Sequence, residues 1–173
     1  FNRKRCAMKD LILGHEAIQH KINRIAYQIY ESNVHETKIV VAGIQGGGAL
    51  FADRIIRVLQ RITQAEILSC TLDMDKKNPL SRPIKTSIPL EDLTHTSLVL
   101  VDDVLNSGTT LIYGVHHFLQ IPLKKLKTAV LVNRNHKKYP VKADFKGISL
   151  STSLNEHIDV VLDQEQDAVY LSQ

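Results

Sequence analysis

Apolar positions along the chain follow two spacings in alternation, and that alternation predicts an α/β protein. Between Glu16 and Glu31 the residues Ile18, Ile22, Ile25, Ala26 and Ile29 recur at helical spacing, which predicts an amphipathic helix with one buried face. A β-branched run over 38–44 (KIVVAGI) then ends in glycines, after which Phe51, Ala52, Ile55, Ile56, Leu59 and Ile62 return to helical period. A buried strand therefore feeds a helix through a glycine turn. Segments 66–72 (EILSCTL), 98–103 (LVLVDD), 127–132 (KTAVLV) and 143–149 read as further strands, with a helix carried by Leu111, Val115, Phe118 and Leu119. Strands apolar on both faces suit a parallel sheet covered on each side. At the end, HIDVVLD and AVYLS face each other across QEQD, the pattern of a hairpin.

The stretch 73–97 breaks this rhythm. It is rich in Pro, Lys and Ser and poor in apolar period, and a loop of that length within a compact domain is a functional lid or a disordered segment. Composition adds boundaries rather than detail. At 173 residues, 43% hydrophobic and 23% charged, the chain is expected to form one globular domain, and the values exclude collagen-like and low-complexity architectures. Lys plus Arg at 22 against Asp plus Glu at 18 gives a net +4, a mild excess that suits an anionic ligand. No apolar run approaches the ~20 residues of a membrane span. The basic opening FNRKRCAMKD leads into no apolar signal core, so 1–13 is expected to be a tail. Cys6 and Cys70 lie far apart without a CxxC pair, which fits a reduced, cytoplasmic chain without structural zinc.

The chemistry concentrates in L98-V-L-V-D-D-V-L-N-S-G-T-T-L111. An apolar strand ends in Asp102 and Asp103, and Ser107, Gly108, Thr109 and Thr110 open a helix. Such a turn aims backbone N–H groups and hydroxyls at one spot, where the helix dipole also favours negative charge. Capping of the helix would use one hydroxyl, not three. Two carboxylates beside a phosphate cradle would repel the phosphate unless they serve another part of the ligand, such as vicinal sugar hydroxyls or a metal. A receiver-type or dehalogenase-type aspartate site is the other chemistry open to such a strand end. The second turn, A42-G-I-Q-G-G-G-A49, has neither dinucleotide-fold nor P-loop spacing.

Together these two turns resemble type I phosphoribosyltransferases. The resemblance implies a Rossmann-type parallel sheet flanked by helices, with a small hood (143–173, including the C-terminal hairpin) and a flexible lid (73–97), in one domain over 1–173. It implies that Asp102 and Asp103 hold the ribose hydroxyls of phosphoribosyl pyrophosphate (PRPP), and that Asn106, Ser107, Gly108, Thr109 and Thr110 hold the 5'-phosphate. Gln45, Gly46 and Gly47 would hold pyrophosphate through backbone N–H groups, and the lid would bring Lys76, Lys77 and Arg82, with Lys85 a further basic group. Mg²⁺ is the implied cofactor, associated with Asp102 and Asp103 directly or through the sugar.

Near full-length similarity points to one branch, the bifunctional uracil phosphoribosyltransferase and pyrimidine-operon attenuator proteins. It is carried by E16-A-I, R24-I-A, A129-V-L-V-N-R-N-H-K-K-Y-P-V-K-A-D-F-K-G147 and the closing V-V-L-D with A-V-Y-L. By the same resemblance Phe145 would stack on the base and Lys146 would read its edge. Purine members use Asp at the place of Asn106 and Lys near Asn133. An amide is no general base, so uracil is the favoured acceptor, with a hypoxanthine/guanine enzyme as the alternative. A non-catalytic sensor of PRPP or nucleotide that binds RNA is the third reading. Arg24, His136, Lys137 and Lys142 keep basic character where the attenuator branch binds RNA, but Asn23 and Tyr27 replace its Thr and His, and RNA binding is not the favoured expectation. A homo-oligomer, dimer or tetramer, is implied.

Overall fold

A computed structural model of the chain describes residues 9–163 and 165–173. Strand β1 (Lys9–Leu13) leads into helix α1 (His15–Glu31), followed by β2 (Lys38–Ile44), α2 (Gly47–Ile62) and β3 (Glu66–Asp73). Then come the short β4 (Lys85–Thr86), β5 (Ser97–Leu105), α3 (Thr109–Phe118), β6 (Lys125–Arg134), β7 (Phe145–Leu150), β8 (His157–Val161) and β9 (Ala168–Ser172). Six strands form one sheet in the order β4-β3-β2-β5-β6-β7, parallel throughout except for β4 on β3.

Period-two burial on both faces explains the layers. Ile39, Val41, Val99, Val101, Ala129 and Leu131 pack against the apolar faces of α1 and α2. Their sequence neighbours Val40, Ala42, Leu98, Leu100 and Val130 pack on the other side against Leu111, Phe118 and Leu93. β2 and β5 lie at the centre, side by side in register from Ile39–Ser97 to Gly43–Val101. The glycine turn after β2 and the acidic end of β5 therefore emerge next to each other on the C-terminal edge, where open α/β sheets place their ligands.

Two segments differ from the sequence expectation. Residues 9–13 of the expected tail form β1, which pairs antiparallel with β9 in a second sheet of order β1-β9-β8; residues 1–8 lie outside the described part. The pairing joins opposite ends of the chain, so no local periodicity carries it. Within the expected loop 73–97, β4 adds to the edge of β3 and Leu90–Leu93 form a 3-10 turn that buries Leu93. Asp75 organises the start of this segment by accepting bonds from the Lys77 and Asn78 backbone N–H groups and the Ser81 hydroxyl.

The small sheet is tied to the large one by a buried charge. Asp167, 1% exposed, receives a two-pronged bond from Arg54 on α2 at 2.6 and 3.1 Å and another from Gln19 on α1 at 2.7 Å. Its backbone N–H donates to His15 Nδ1 at 3.0 Å.

Candidate active site

At the end of β5 the sheet delivers Asp102 and Asp103 to the C-terminal edge. Asp102 is 5% exposed, and its Oδ1 accepts the Asp103 N–H at 2.9 Å. Asp103 Oδ1 in turn accepts the Val104 N–H at 2.9 Å. The Asp102 carboxyl is pushed up to about 7, first by burial and then by the charge on Asp103, while Lys76 opposes the shift. Lys76 Nζ stands 3.4 Å from Asp102 Oδ1.

A carboxyl raised from 3.8 to about 7 holds in the folded protein a proton that the unfolded chain has released. Its contribution to stability is full below the unfolded value and is lost as pH rises through about 7. Asp102→Asn removes that dependence, so thermal midpoints measured from pH 4 to pH 8 should fall less steeply in the variant than in the parent. Parallel curves would refute the assignment.

The turn that follows is built for an anion. Gly108 adopts φ +86°, a left-handed conformation, and a Cβ there would meet Val141 Cγ1 at 2.6 Å. It stands at the N-cap of α3 and has no side chain to cap the helix. The Thr109 N–H donates to Ser107 Oγ at 3.3 Å, and the next N–H groups of the first turn remain for a ligand. Ser107 Oγ lies 2.8 Å from Thr109 Oγ1, and the Ser107 carbonyl accepts N–H bonds from Lys138 and Tyr139, which braces the turn from behind. Gly108→Ala is expected to lower stability by about 1–2 kcal/mol from the left-handed backbone alone and to weaken binding of a phosphate ester. Thermal unfolding and calorimetric titration with ribose 5-phosphate measure the two effects.

Across the cleft, α2 starts at Gly47, also without a side-chain cap. A Cβ on Gly47 would fall 2.1 Å from Asp103 Oδ2, so only glycine lets this turn lie against the acidic pair. Lys76 Nζ comes within 3.9 Å of a Cβ built on Gly46. Lys76 thus sets a basic group beside the Q-G-G-G turn, which has none of its own.

Lys76, Lys77, Asp102, Asp103 and the whole run from Asn106 to Thr110 line a cavity of about 450 Å³. Gln45, Gly46 and Gly47 are not part of its lining, although Gly46 and Gly47 lie beside Lys76 and Asp103. Other expected site residues lie elsewhere. Arg82 pairs with Asp73 at 2.9 Å and lines a separate groove against α3. Phe145 packs on the core layer that holds α1 and α2. Lys146 is exposed, with its carbonyl accepting from Arg24 at 2.9 Å. Arg24 also donates to the Gly147 carbonyl at 2.7 Å, which commits its guanidinium to the α1–β7 joint. Asn133 lines a different cavity with Lys137 and Ser149. Sequence reasoning passed over Val130 and Ile158, which supply apolar walls to the main cavity, and Arg134, buried behind Asn106. Arg134 could have been found as a charged residue closing the strand that carries the apolar run Ala129–Val132.

A family model described as phosphoribosyl transferase domain matches residues 9–165. Among curated relatives, the bifunctional protein PyrR of Fusobacterium nucleatum is 33% identical, over 93% of this chain and 97% of its own. That of Chloroflexus aurantiacus is 34% identical, over 91% and 90%. Among solved structures, a hypoxanthine-guanine phosphoribosyltransferase from Bacillus anthracis aligns with a TM-score of 0.69 at 23% identity, covering 82% of each chain. The hypoxanthine phosphoribosyltransferase of Trypanosoma cruzi in complex with IMP aligns with a TM-score of 0.72 at 17% identity, covering 91% of this chain and 86% of that one.

Proposed function

Because the chain belongs to the phosphoribosyltransferase family, we propose that it transfers the 5-phosphoribosyl group of PRPP to uracil, releasing pyrophosphate and forming a nucleoside monophosphate. One observation carries this reading: an acidic pair and a hydroxyl-rich helix start line one cavity, and a glycine turn lies directly against the acidic pair. A phosphate cradle alone would suit many ligands. Carboxylates between two cradles suit a sugar that bears phosphate at one end and pyrophosphate at the other.

In this reading Ser107, Thr109, Thr110 and the start of α3 hold the 5'-phosphate, and Gly46 and Gly47 hold pyrophosphate together with Lys76. Gln45, expected to share that role, already gives its N–H to the Leu72 carbonyl at 2.9 Å. Asp102 and Asp103 accept hydrogen bonds from the ribose hydroxyls and set negative charge beside the anomeric carbon as its bond to pyrophosphate breaks. Segment 73–97 acts as the lid and 143–173 as the hood, whose Ile158 helps keep water from the reacting carbon.

The residues fit Mg²⁺. Asp102 and Asp103 offer hard oxygen donors side by side at the cavity, the ligand type that suits an ion whose remaining positions are filled by phosphate and water oxygens. When bound, Mg²⁺ would offset pyrophosphate charge and improve the leaving group.

Uracil is favoured by the amide at Asn106, which cannot take up the proton that a purine acceptor releases as its bond to ribose forms, the role open to Asp at that place in purine relatives. Asn133 lends no support, since it lies off the main cavity. Hypoxanthine or guanine is the alternative acceptor. We further read the protein as a cytoplasmic homo-oligomer. No helix among the described residues is long and apolar enough to cross a membrane. RNA binding is not favoured, since Asn23 and Tyr27 stand where the attenuator branch carries Thr and His; Arg24 gives its Nη2 to backbone carbonyls.

The test is pyrophosphate release from PRPP and Mg²⁺ with uracil, hypoxanthine, guanine and xanthine in parallel. Turnover with uracil is expected to dominate. Turnover only with a purine would move the assignment to the alternative, and no turnover with any base would favour a sensor.

A further inference from the structure

At the end of β6, Arg134 is 8% exposed, and among the described residues no carboxylate forms an ion pair with it. Its donors are spent on neutral acceptors instead. Nε donates to Thr152 Oγ1 at 2.9 Å, and Nη2 to the Glu156 carbonyl at 2.7 Å and the Ser153 carbonyl at 3.4 Å. Nη1 donates to Asn106 Oδ1 at 3.0 Å. Burying a guanidinium without a counter-ion is costly, so its geometry invites a purpose beyond packing.

A carboxamide can present either its oxygen or its NH₂ group to a neighbour, and free in solution it turns readily between the two. A guanidinium has donors only. Asn106 must therefore offer Oδ1 to Arg134, which leaves Nδ2 and its two hydrogens for the other side. Asn106 is exposed and lines the main cavity, and Nδ2 has no hydrogen-bond partner among the described residues.

We propose that Arg134 is a positioning residue that holds the Asn106 amide as an obligate donor into the cavity, so that this point of the site accepts only a ligand atom with a lone pair. A phosphate oxygen and a ring carbonyl both meet that requirement, whereas a ring N–H is rejected. The proposal rests on the phosphoribosyl reading for the choice of probes, not for the amide orientation.

Calorimetric titration with ribose 5-phosphate, uridine and UMP tests it in the parent, Arg134→Met, Asn106→Ala and the double variant. Arg134→Met is expected to weaken binding about tenfold, the scale of one lost hydrogen bond to a charged or strongly polar acceptor. In the Asn106→Ala background the same substitution should change binding less than twofold. A loss shared by ribose 5-phosphate and UMP identifies phosphate as the accepting group; a loss confined to uridine and UMP identifies the base. Equal losses in both backgrounds would mean that Arg134 merely braces segment 152–156 and would overturn the proposal.

Should Arg134→Met not fold, Asn106→Asp answers instead. It keeps the contact with Arg134 but turns an anionic acceptor into the cavity, so it should bind more weakly than Asn106→Ala; binding as tight as the parent's overturns the donor assignment. The amide is also read without ligand. The ¹³Cγ resonance of Asn106 should move on Arg134→Met, or on Arg134→Lys where Met is not tolerated, and an unmoved resonance overturns the proposal. If the parent binds none of the three probes, the phosphoribosyl reading fails, and this resonance still decides the orientation.

Discussion

Asp103→Asn is expected to keep the fold and lose roughly 10²- to 10³-fold in kcat, the scale of removing one preorganised electrostatic group from an active site. The fold survives because an amide has the same shape as the carboxylate and its oxygen can still accept the Val104 N–H, now made at 2.9 Å. What disappears is the negative charge. The Asp103 carboxylate lies against Gly47, between the two cradles, where positive charge builds on the sugar as pyrophosphate departs. The substitution also lifts like-charge repulsion from Asp102, which the Asp103 charge pushes upward, so stability should hold or rise. Pyrophosphate release under saturating substrate, with circular dichroism of the same sample, checks both halves. Turnover equal to the parent's in a folded variant would remove Asp103 from the mechanism.

Asp167→Ala carries the largest expected effect on stability, a loss of about 3–5 kcal/mol, because it leaves a buried charge without its partner. Arg54, whose side chain is only 13% exposed, would keep its guanidinium against an apolar joint with nothing to neutralise it. Gln19 and the hood hairpin would lose their shared anchor. For a domain of this size each kcal/mol moves the melting midpoint by ~2–4 °C, so a drop of roughly 6–20 °C is expected in a thermal scan. Replacing both partners, as Arg54→Met with Asp167→Leu, should recover most of the loss, since two apolar groups leave no orphaned charge. A drop below ~2 °C in the single variant would mean that water reaches the joint and screens the pair.

Some of this was legible in the chain alone. Ile18, Ile22, Ile25, Ala26 and Ile29, expected to form one buried face, are all buried on α1. The run 38–44 is β2 from end to end. The acidic pair and the Ser-Gly-Thr-Thr turn line one cavity because they lie within nine residues of chain, on a strand end and the helix start that follows it. Less could be read of residues whose partners are distant in sequence. Lys76, Lys77 and Arg82 look alike as lid cations. Only the turn organised by Asp75 sends Lys76 and Lys77 into the cavity, while Asp73 holds Arg82 outside it.

What the sequence determined by itself was the type and order of the elements and the chemistry of the two turns, since both depend on side-chain period and on residues a few positions apart. Tertiary structure alone decided that β2 lies beside β5, that β1 closes on β9, that Lys76 reaches Asp102, and that Arg134 stands behind Asn106. Each of these joins residues 26 or more positions apart. Which strand neighbours which, and in what register, is settled by burial of both sheet faces at once, a condition that no local stretch of chain can express.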